Sequence, residues 1–331
     1  MQIIRDLEDY DNQGRGVFCT IGMFDGLHLG HRHVIQSTVT EARKAGGVAL
    51  GITFDQHPAK VVAPEYAPEM IYPLSKRKKL LATTELDVAW VIPFTTQFSQ
   101  ITGQSFLENL CNQFRPLKRI CVGPDFHFGH KRSGNFQLLR NESPRLGFEL
   151  PEIELVKDSE AEISSTVIRT LIREGKFAEV KRKLGRPYEI CGTVIQGQKI
   201  GRSIGFPTAN LDSTDLVIPP NGVYAVNVTL ADEQIRGVMN IGLRPTVDST
   251  PSRRMVEVHL FDFDEEIYDH SIEIQPIGQL RPEIKFPSIE ALKSQIEIDC
   301  LQAKEMLRET NDDFAQKNRE ILNPEGKKFV G

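Results

Sequence analysis

Hydrophobic positions along the first 180 residues fall into two alternating patterns. Short runs that are apolar throughout are separated by longer segments in which apolar residues recur at helical spacing. Strands that are apolar on both faces and joined by helices are typical of a parallel sheet covered by helices on both sides. The predicted strands are residues 16–21, 48–54, 87–94 and 118–123. The predicted helices are residues 29–45, 104–114 and 164–184, the last with Ser164 or Ser165 as its N-cap.

The pattern changes after residue 188, where short apolar runs are separated by strong turn signals. The runs are residues 189–195, 222–230, 234–242, 254–263 and 270–278, and the turn signals include Pro219-Pro220, Asn221-Gly222 and Ala231-Asp232. Short strands at this spacing predict an antiparallel sheet or barrel. An apolar stripe along residues 288–307 predicts a terminal amphipathic helix. We therefore predict an α/β domain over residues 1–184 and a mostly β domain over residues 185–331, joined between Lys183 and Tyr188.

Length, composition and charge fit a two-domain globular protein. The chain has 331 residues, of which 40% are hydrophobic and 26% are charged, and it is too long for one core of ordinary size. The net charge of −5 argues against nucleic acid as the main partner. A basic cluster at residues 76–79 is interpreted as the solvated face of a helix.

Cysteine usage and hydropathy bear on the location of the protein. The five scattered cysteines match neither a disulfide framework nor a zinc ribbon, which indicates reduced thiols. No apolar run approaches the roughly 18 residues of a membrane span. The chain starts with acidic residues where a signal peptide has a basic flank and an apolar run. We therefore expect a cytoplasmic protein without a membrane partner.

The stretch "TIGMFDGLHLGHRHV", residues 20–34, follows the first predicted strand and opens a helix. Open α/β sheets bind ligands at the carboxyl ends of their strands, and a helix N-terminus there suits phosphate. His28 and His31 lie three residues apart, so they share one face of the helix and can converge on one group. Their imidazoles can donate hydrogen bonds to phosphate oxygens and stabilise developing negative charge. His33 is interpreted as a surface residue, and a zinc site is disfavoured because the three histidines cannot face one point.

The segment "GMFDGLHLGH" resembles the HxGH nucleotidylyltransferases in the form found in FAD synthetases. "ISSTVIR", residues 163–169, resembles that family's second signature, although without the family it would be interpreted only as a helix N-cap. The resemblance implies catalytic roles for His28, His31 and Arg169, with Arg169 and the serine hydroxyls holding the β- and γ-phosphates of ATP. It further implies nucleotide contacts by Gly22, Phe24, Asp25, Gly26, Gly30, Ser164, Ser165 and Thr166.

Two further segments, "TFDQHP" at residues 53–58 and "VGPDFHFGHKRSGN" at residues 122–135, resemble the flavin side of the same family. Read without the family, Asp55 and His57 serve equally well as turn residues before a proline. At Asn135 relatives often carry an acid, which leaves the role of this residue open. The resemblance implies flavin contacts by Phe54, His57, Pro58, Asp125, Phe126 and Phe128.

The segment "GRSIGFPTANL", residues 201–211, places Thr208 and Asn210 two residues apart on an extended stretch. Both side chains then point the same way and can ligate a magnesium–nucleotide through oxygen atoms, although P-T-A-N alone is more often a plain turn. The segment resembles the PTAN motif of riboflavin kinases, which implies nucleotide binding by Gly201, Thr208 and Asn210 and a Mg²⁺ site at Thr208 and Asn210. Residues 264–266 are all acidic where relatives often include a glycine.

Glu257 lies in "MVEVHLF", where Val256, Val258 and Leu260 share one face of a predicted strand and Glu257 shares the other with His259. A strand with one polar face normally exposes such a glutamate to solvent. The resemblance to riboflavin kinases instead implies that Glu257 is the base that accepts the proton of the ribityl hydroxyl.

Together the motifs cover essentially the whole chain in the order found in bifunctional bacterial riboflavin kinase/FAD synthetases. The resemblance implies a Rossmann-like nucleotidylyltransferase domain, an antiparallel β-barrel kinase domain with a terminal helix, and the substrates and products riboflavin, FMN, FAD and ATP, with Mg²⁺. We expect a monomer or a weak homo-oligomer. Two alternatives stay open here: a nucleotidylyltransferase for another acceptor fused to an unrelated barrel, and a non-catalytic flavin carrier or RNA-binding protein.

Overall fold

The computed structural model describes residues 1–6, 10–154, 156–158, 161–197, 200–243 and 254–322. The chain folds into two units. The first unit comprises residues 1–171, 178–186 and 215–217, and the second comprises residues 172–177, 187–214 and the residues from 218 onward. The division between the units therefore does not fall at a single point in the sequence.

Five parallel strands form the sheet of the first unit, in the order β1-β4-β3-β2-β5. Their bounds are β1 (Gln2–Ile4), β2 (Val17–Ile21), β3 (Val48–Phe54), β4 (Val88–Ile92) and β5 (Leu117–Cys121). Every residue of β2 and β4 is buried, as the continuous apolar runs predict. The predicted parallel sheet is confirmed, although the three-residue β1 was not predicted.

Helices cover both faces of this sheet. Alternate residues of the strands point to opposite faces: Cys19 packs in a cluster with Leu107 of α5, and Phe18 packs in a cluster with Ile35 of α1. The helices are α1 (Leu29–Lys44), α2 (Ala59–Val62), α3 (Leu74–Ala82), α4 (Thr96–Ser99), α5 (Gly103–Gln113), α6 (Phe136–Leu146), α7 (Ser165–Arg173) and α8 (Phe177–Leu184). Two small antiparallel ribbons pair β6 (His127–Phe128) with β7 (Gly134–Asn135) and β8 (Lys157–Asp158) with β9 (Ala161–Glu162).

Two sequence predictions about helices are wrong. The single helix predicted over residues 164–184 is two helices, α7 and α8, because Gly175 adopts a left-handed conformation with φ of 70° and ends the first. The basic cluster at residues 76–79 is not simply a solvated face, since Arg77 is only 2% exposed. Its guanidinium donates hydrogen bonds to the backbone carbonyls of Met23, Phe54 and Asp55, which a local charge pattern cannot indicate.

The second unit contains a closed antiparallel barrel of six strands, in the order β10-β11-β14-β13-β12-β15. The strands are β10 (Ile190–Ile195), β11 (Ala209–Leu211), β12 (Gly222–Leu230), β13 (Glu233–Leu243), β14 (Arg254–Leu260) and β15 (Ser271–Arg281), and the helices are α9 (Ile200–Ser203) and α10 (Ile289–Leu322). Ala231 and Asp232 form the predicted two-residue turn of the β12–β13 hairpin, both with positive φ. Ala303 and Leu307 of α10 pack in a cluster with Ala225 of the barrel. The predicted barrel and terminal helix are confirmed.

Candidate active sites

The sheet of the first unit reverses its direction of growth at β2. The chain runs from β2 through β3 to β4 on one side and then places β5 on the other side of β2. Ligands of open α/β sheets bind at the carboxyl ends of the strands next to such a switch point. A cavity of about 310 Å³ lies there, between the segments that follow β2 and β5 and the first turns of α1 and α7. We refer to it as the switch-point cavity.

Most of the residues predicted to bind nucleotide line this cavity. Of the eight predicted in the first unit, these five line it: Gly22, Phe24, Gly30, Ser164 and Ser165. The predicted catalytic residues His28 and His31 also line it, as do Asp125 and Phe126 from the predicted flavin set. Ser164 also caps α7, because its hydroxyl accepts a hydrogen bond from the Val167 N–H at 3.4 Å. Asp25, Gly26, Thr166 and Arg169 are not among the lining residues.

The two predicted catalytic histidines converge at the first turn of α1. Their rings stack with centroids 3.6 Å apart and planes 18° apart, so the two side chains share one face at the start of the helix, as predicted. His28 is the N-cap of the helix, and its Nδ1 accepts a hydrogen bond from the His31 N–H at 3.3 Å. Because Nδ1 is an acceptor, the proton of the neutral His28 ring lies on Nε2. His33, on the same helix, is exposed as predicted.

Both histidines are neutral at pH 7. Burial lowers the pKa of His28 from 6.5 to about 4, and the positive charges of Arg186 and Arg169 contribute to this lowering. Burial also holds the pKa of His31 well below its usual range, with smaller contributions from His28 and the same two arginines. The Nδ1 atom of His31 is buried and has no hydrogen-bond partner among the described residues. The pair therefore offers uncharged hydrogen-bond donors to a ligand, rather than a resting positive charge.

Asp25 and Arg169 bind each other beneath the cavity. The Asp25 carboxylate is 1% exposed and accepts hydrogen bonds from Arg169 Nη2 at 2.6 Å, from the Ile71 N–H at 3.0 Å and from the Tyr72 N–H at 3.2 Å. Arg169 Nε donates to the Glu69 carbonyl at 2.7 Å, and the Ser165 hydroxyl donates to the Asp25 carbonyl at 2.9 Å. These contacts join the turn after β2 to the first turns of α7. Asp25 and Arg169 therefore fix two segments that line the cavity without lining it themselves.

Gly26 and Arg186 also shape the turn before α1. Gly26 has φ of 78°, and a side chain at this position would place its Cβ 2.9 Å from Ile71 Cδ1. Arg186 donates hydrogen bonds to the carbonyls of Gly26 and Leu27, the latter at 3.1 Å. Arg186 lies within the predicted junction between Lys183 and Tyr188, and no role in the site was predicted for it, because contacts made 160 positions away leave no local signal.

A larger, aromatic cavity adjoins the switch-point cavity and shares Ile21 and Phe126 with it. Its volume is about 610 Å³, and it contains four residues of the predicted flavin set: Phe54, Pro58, Phe126 and Phe128. Phe94, Phe98 and Phe106 also line it and were missed, although the phenylalanines recur through residues 94–106. We refer to it as the aromatic cavity.

Three residues of the flavin-side motifs make hydrogen bonds to the backbone, two of them local and one to a distant segment. His57 is not among the residues that line the aromatic cavity, and its Nδ1 accepts a hydrogen bond from the Ala59 N–H at 3.1 Å. The Asp55 carboxylate accepts one from the Phe94 N–H at 2.9 Å. Asn135 caps α6 by accepting one from the Leu138 N–H at 2.9 Å. An acid can cap a helix in the same way, which explains why either residue type fits position 135.

The barrel of the second unit contains the predicted kinase residues around one cavity of about 310 Å³. Gly201, Thr208, Asn210 and Glu257 all line it, so both side chains of the predicted magnesium pair reach the same space. Asn210 and Asn240 are the cross-strand partners of Glu257 in the β11–β14 and β13–β14 ladders. Gly201 is required where it stands, because any side chain there would collide with the Phe206 carbonyl oxygen. Glu257 therefore faces a cavity and is not simply an exposed residue of a polar strand face.

Two other features border this cavity. Thr208 also lines a second cavity of about 270 Å³ that contains Arg202 and the acidic residues 264–266. Arg281 of β15 binds Asp299 of α10 in a bidentate ion pair, at 2.9 Å from Nε and 2.8 Å from Nη2. The sequence did not point to this pair, because its members come from separate elements. No group of three or more His, Cys, Asp or Glu side chains in the described part of the chain could hold a metal ion.

Comparison with known proteins gives a consistent identification. A family model described as FAD synthetase matches residues 11–167, and one described as riboflavin kinase matches residues 184–307. The bifunctional riboflavin kinase/FMN adenylyltransferase of Haemophilus influenzae is 37% identical over 305 residues, which are 92% of this chain and 98% of that protein. The protein of the same name from Escherichia coli K12 is 35% identical over 92% of this chain and 97% of its own length.

A solved structure supports the fold. The crystal structure described as a macrolide-efflux protein from Streptococcus pneumoniae aligns with a TM-score of 0.74 and 29% identity, over 90% of this chain and 96% of its own. That description names a different function from the curated relatives. In the described residues we find no helix with the length and apolar character to cross a bilayer. The two family models, the curated relatives and the motifs agree with one another, so we take only the fold from this structure.

These matches confirm the predicted fold class and the predicted kind of enzyme, an ATP-dependent transferase of FMN and FAD biosynthesis with riboflavin kinase and FMN adenylyltransferase activities. They disfavour both alternatives left open by the sequence, since the barrel is related to riboflavin kinases and the acceptor of the relatives is FMN. The chain belongs to the bifunctional riboflavin kinase/FMN adenylyltransferase family.

Proposed function

We propose that the first unit transfers AMP from ATP to FMN across its two adjoining cavities, and that the barrel phosphorylates riboflavin. The observation that carries the first assignment is the shared wall of Ile21 and Phe126, which brings a phosphate-type site and an aromatic site together. ATP occupies the switch-point cavity, and the isoalloxazine ring of FMN occupies the aromatic cavity, where offset stacking on phenylalanine rings stabilises it.

In the adenylyl transfer, a phosphate oxygen of FMN attacks the α-phosphorus of ATP. The bond from this phosphorus to the oxygen that bridges to the β-phosphate breaks, and pyrophosphate leaves. His28 and His31 donate hydrogen bonds from neutral rings to oxygens on which negative charge builds in the transition state. The Ser164 hydroxyl and the N–H groups at the start of α7 hold the β- and γ-phosphates, while the Ser165 hydroxyl donates to the Asp25 carbonyl. Arg169 acts through its ion pair with Asp25, which holds α7 against the turn after β2.

In the kinase reaction, the terminal ribityl hydroxyl of riboflavin attacks the γ-phosphorus of ATP and ADP leaves. Glu257 accepts the hydroxyl proton, as its position in the wall of the barrel cavity allows. Thr208 and Asn210 supply the oxygen ligands that Mg²⁺ prefers, and the donor set fits this ion because Mg²⁺ is usually bound through one or two protein groups and substrate phosphates. When bound, Mg²⁺ neutralises charge on the phosphate oxygens.

Separate assays of the two half-reactions test this division of labour. His28→Ala or His31→Ala should lower the rate of FAD formation from supplied FMN by about 10²–10³-fold, as losing an aligned donor does. His33→Ala is the matched control, since His33 is exposed on the same helix and should keep the wild-type rate. Phosphorylation of riboflavin should be unchanged in all three variants.

Glu257→Gln is the complementary variant. It keeps the size of the side chain and removes the proton acceptor, so riboflavin phosphorylation should fall by about 10²–10⁴-fold while adenylylation of supplied FMN continues. A wild-type ratio of the two rates in Glu257→Gln, or wild-type FAD formation in both histidine variants, would contradict the assignments. A cytoplasmic location and a monomeric or weakly associated state stay predictions from the sequence.

A further inference from the structure

Arg77 is a buried arginine whose hydrogen bonds join the walls of the two cavities of the first unit. It lies on α3 and is 2% exposed. Its Nη1 donates to the Met23 carbonyl at 3.1 Å and to the Phe54 carbonyl at 3.0 Å, and its Nη2 donates to the Asp55 carbonyl at 2.9 Å. Met23 lines the switch-point cavity, and Phe54 lines the aromatic cavity.

The hydrogen-bond network continues beyond Arg77 to Phe94, another residue that lines the aromatic cavity. Asp55 accepts the Phe94 N–H at 2.9 Å, and Gln56 Nε2 donates to the Phe94 carbonyl at 3.0 Å. Phe94 lines the aromatic cavity, and its ring lies 5.4 Å from that of Phe54 in an edge-to-face arrangement. One guanidinium therefore holds the loop after β2 and the loop after β3, and Asp55 ties the latter to the segment after β4.

Stability alone gives a poor account of this residue. The hydrogen-bond acceptors of Arg77 are neutral carbonyls. Burial lowers the pKa of Arg77, and the nearby negative charges of Asp25 and Asp55 offset this lowering only in part. Replacing a buried charge together with its counter-charges by apolar residues of similar volume is often neutral for stability, so a buried charge is weak evidence of a stabilising role. The planar guanidinium of an arginine has several donors in a fixed arrangement, so it can hold several acceptors at defined distances from one another.

We propose that Arg77 is a positioning residue for adenylyl transfer, which fixes the nucleotide cavity relative to the flavin cavity and so the distance from the attacking FMN oxygen to the α-phosphorus of ATP. The inference rests on the proposed occupants of the two cavities. Displacement of reacting groups by about 1 Å can cost about 10²-fold in rate even when each substrate is still bound. A residue with this role affects kcat more than the affinity for either substrate alone.

The test compares Arg77→Met and Arg77→Lys with Lys79→Met, a matched control that removes a cation from an exposed position of the same helix. The full chain is used, below the onset of thermal unfolding of each variant. The measurements are kcat for FAD formation from FMN, the Kd of FMN from flavin fluorescence, the Kd of a non-hydrolysable ATP analogue, and the rate of riboflavin phosphorylation. Arg77→Met should lower kcat for FAD formation by about 10²-fold while both Kd values stay within about threefold.

Arg77→Lys keeps the charge, but its single nitrogen cannot span three carbonyls, so we expect a loss of about tenfold in kcat. If Arg77→Met does not fold, this variant decides. Wild-type kcat in either folded variant overturns the proposal, as does a loss explained entirely by weaker binding of FMN or of the ATP analogue. Lys79→Met should behave as the wild type, and an equal loss there also overturns it. Failure of the proposed function is distinguishable, because the wild-type chain itself would then form no FAD.

Discussion

Replacement of Asp25 by asparagine tests the ion pair that lies beneath the switch-point cavity. In the structure the Asp25 carboxylate accepts hydrogen bonds from Arg169 and from the backbone N–H groups of Ile71 and Tyr72. The amide nitrogen of an asparagine would face at least one of these donors, and the guanidinium of Arg169, 7% exposed, would lose its counter-charge. Breaking a buried pair by removing one partner costs about 3–5 kcal/mol.

The chain contains a convenient probe for this loss. Trp90 is its single tryptophan and lies buried in β4, so its fluorescence reports on unfolding of the first unit. Urea titration of Asp25→Asn should give a free energy of unfolding lower than that of the wild type by about 3–5 kcal/mol. FAD formation should fall with it, because α7 loses the ion pair to the turn after β2, although it keeps the Ser165 hydrogen bond to the Asp25 carbonyl.

A double-mutant cycle separates the ion pair from the other contacts of Asp25. Arg169→Met alone leaves the carboxylate buried and unpaired, whereas Asp25→Asn with Arg169→Met removes both charges. The double variant should be more stable than the sum of the single losses predicts, by about 2 kcal/mol or more. Additive losses of stability in the double variant would refute the reasoning. So would an Asp25→Asn variant that unfolds like the wild type and shows only a raised KM for ATP, and this second result would indicate that Asp25 contacts the nucleotide directly.

Two further predictions concern pH and the domain boundary. Because burial lowers the pKa of His28 from 6.5 to about 4, the unfolded chain binds more protons between these values, and stability is lost as the pH falls through them. We expect His28 to account for a loss of about 2–3 kcal/mol at pH 4.5, to be measured by Trp90 fluorescence in urea, and an equal loss in His28→Asn would contradict this expectation. A fragment of residues 185–331 should stay folded and phosphorylate riboflavin. The predicted boundary is wrong if that fragment is unfolded whereas one starting at residue 172, which keeps Phe177 against Tyr188 and Tyr224, folds.

The sequence predicted the features that depend on residues close to one another along the chain. The apolar run at residues 48–54 corresponds to β3 without adjustment, and the spacing of His28 and His31 led to the stacked pair. The break at Gly175 was missed because apolar spacing continues on both sides of it, although a glycine there is itself a helix-ending signal.

The features that the sequence did not predict depend on contacts between residues far apart in the chain. Arg77 binds carbonyls 22 to 54 positions away, and Arg169 binds Asp25 144 positions away. The motif resemblance assigned Asp25 and Arg169 to the same site and implied that both contact ATP. It could not indicate that the two side chains form an ion pair with each other. A backbone carbonyl gives no residue-type signal, so the role of Arg77 emerges only from the folded chain.

The central claim is that one chain carries out two successive reactions at separate sites. The most direct test is to incubate the purified wild-type protein with riboflavin, ATP and Mg²⁺ and to follow the flavins by chromatography over time. We predict that FMN appears first and that FAD follows, with one ADP formed for each riboflavin phosphorylated and one pyrophosphate for each FAD. A protein that leaves riboflavin unchanged, or that forms FMN and never FAD at saturating ATP, would contradict the account.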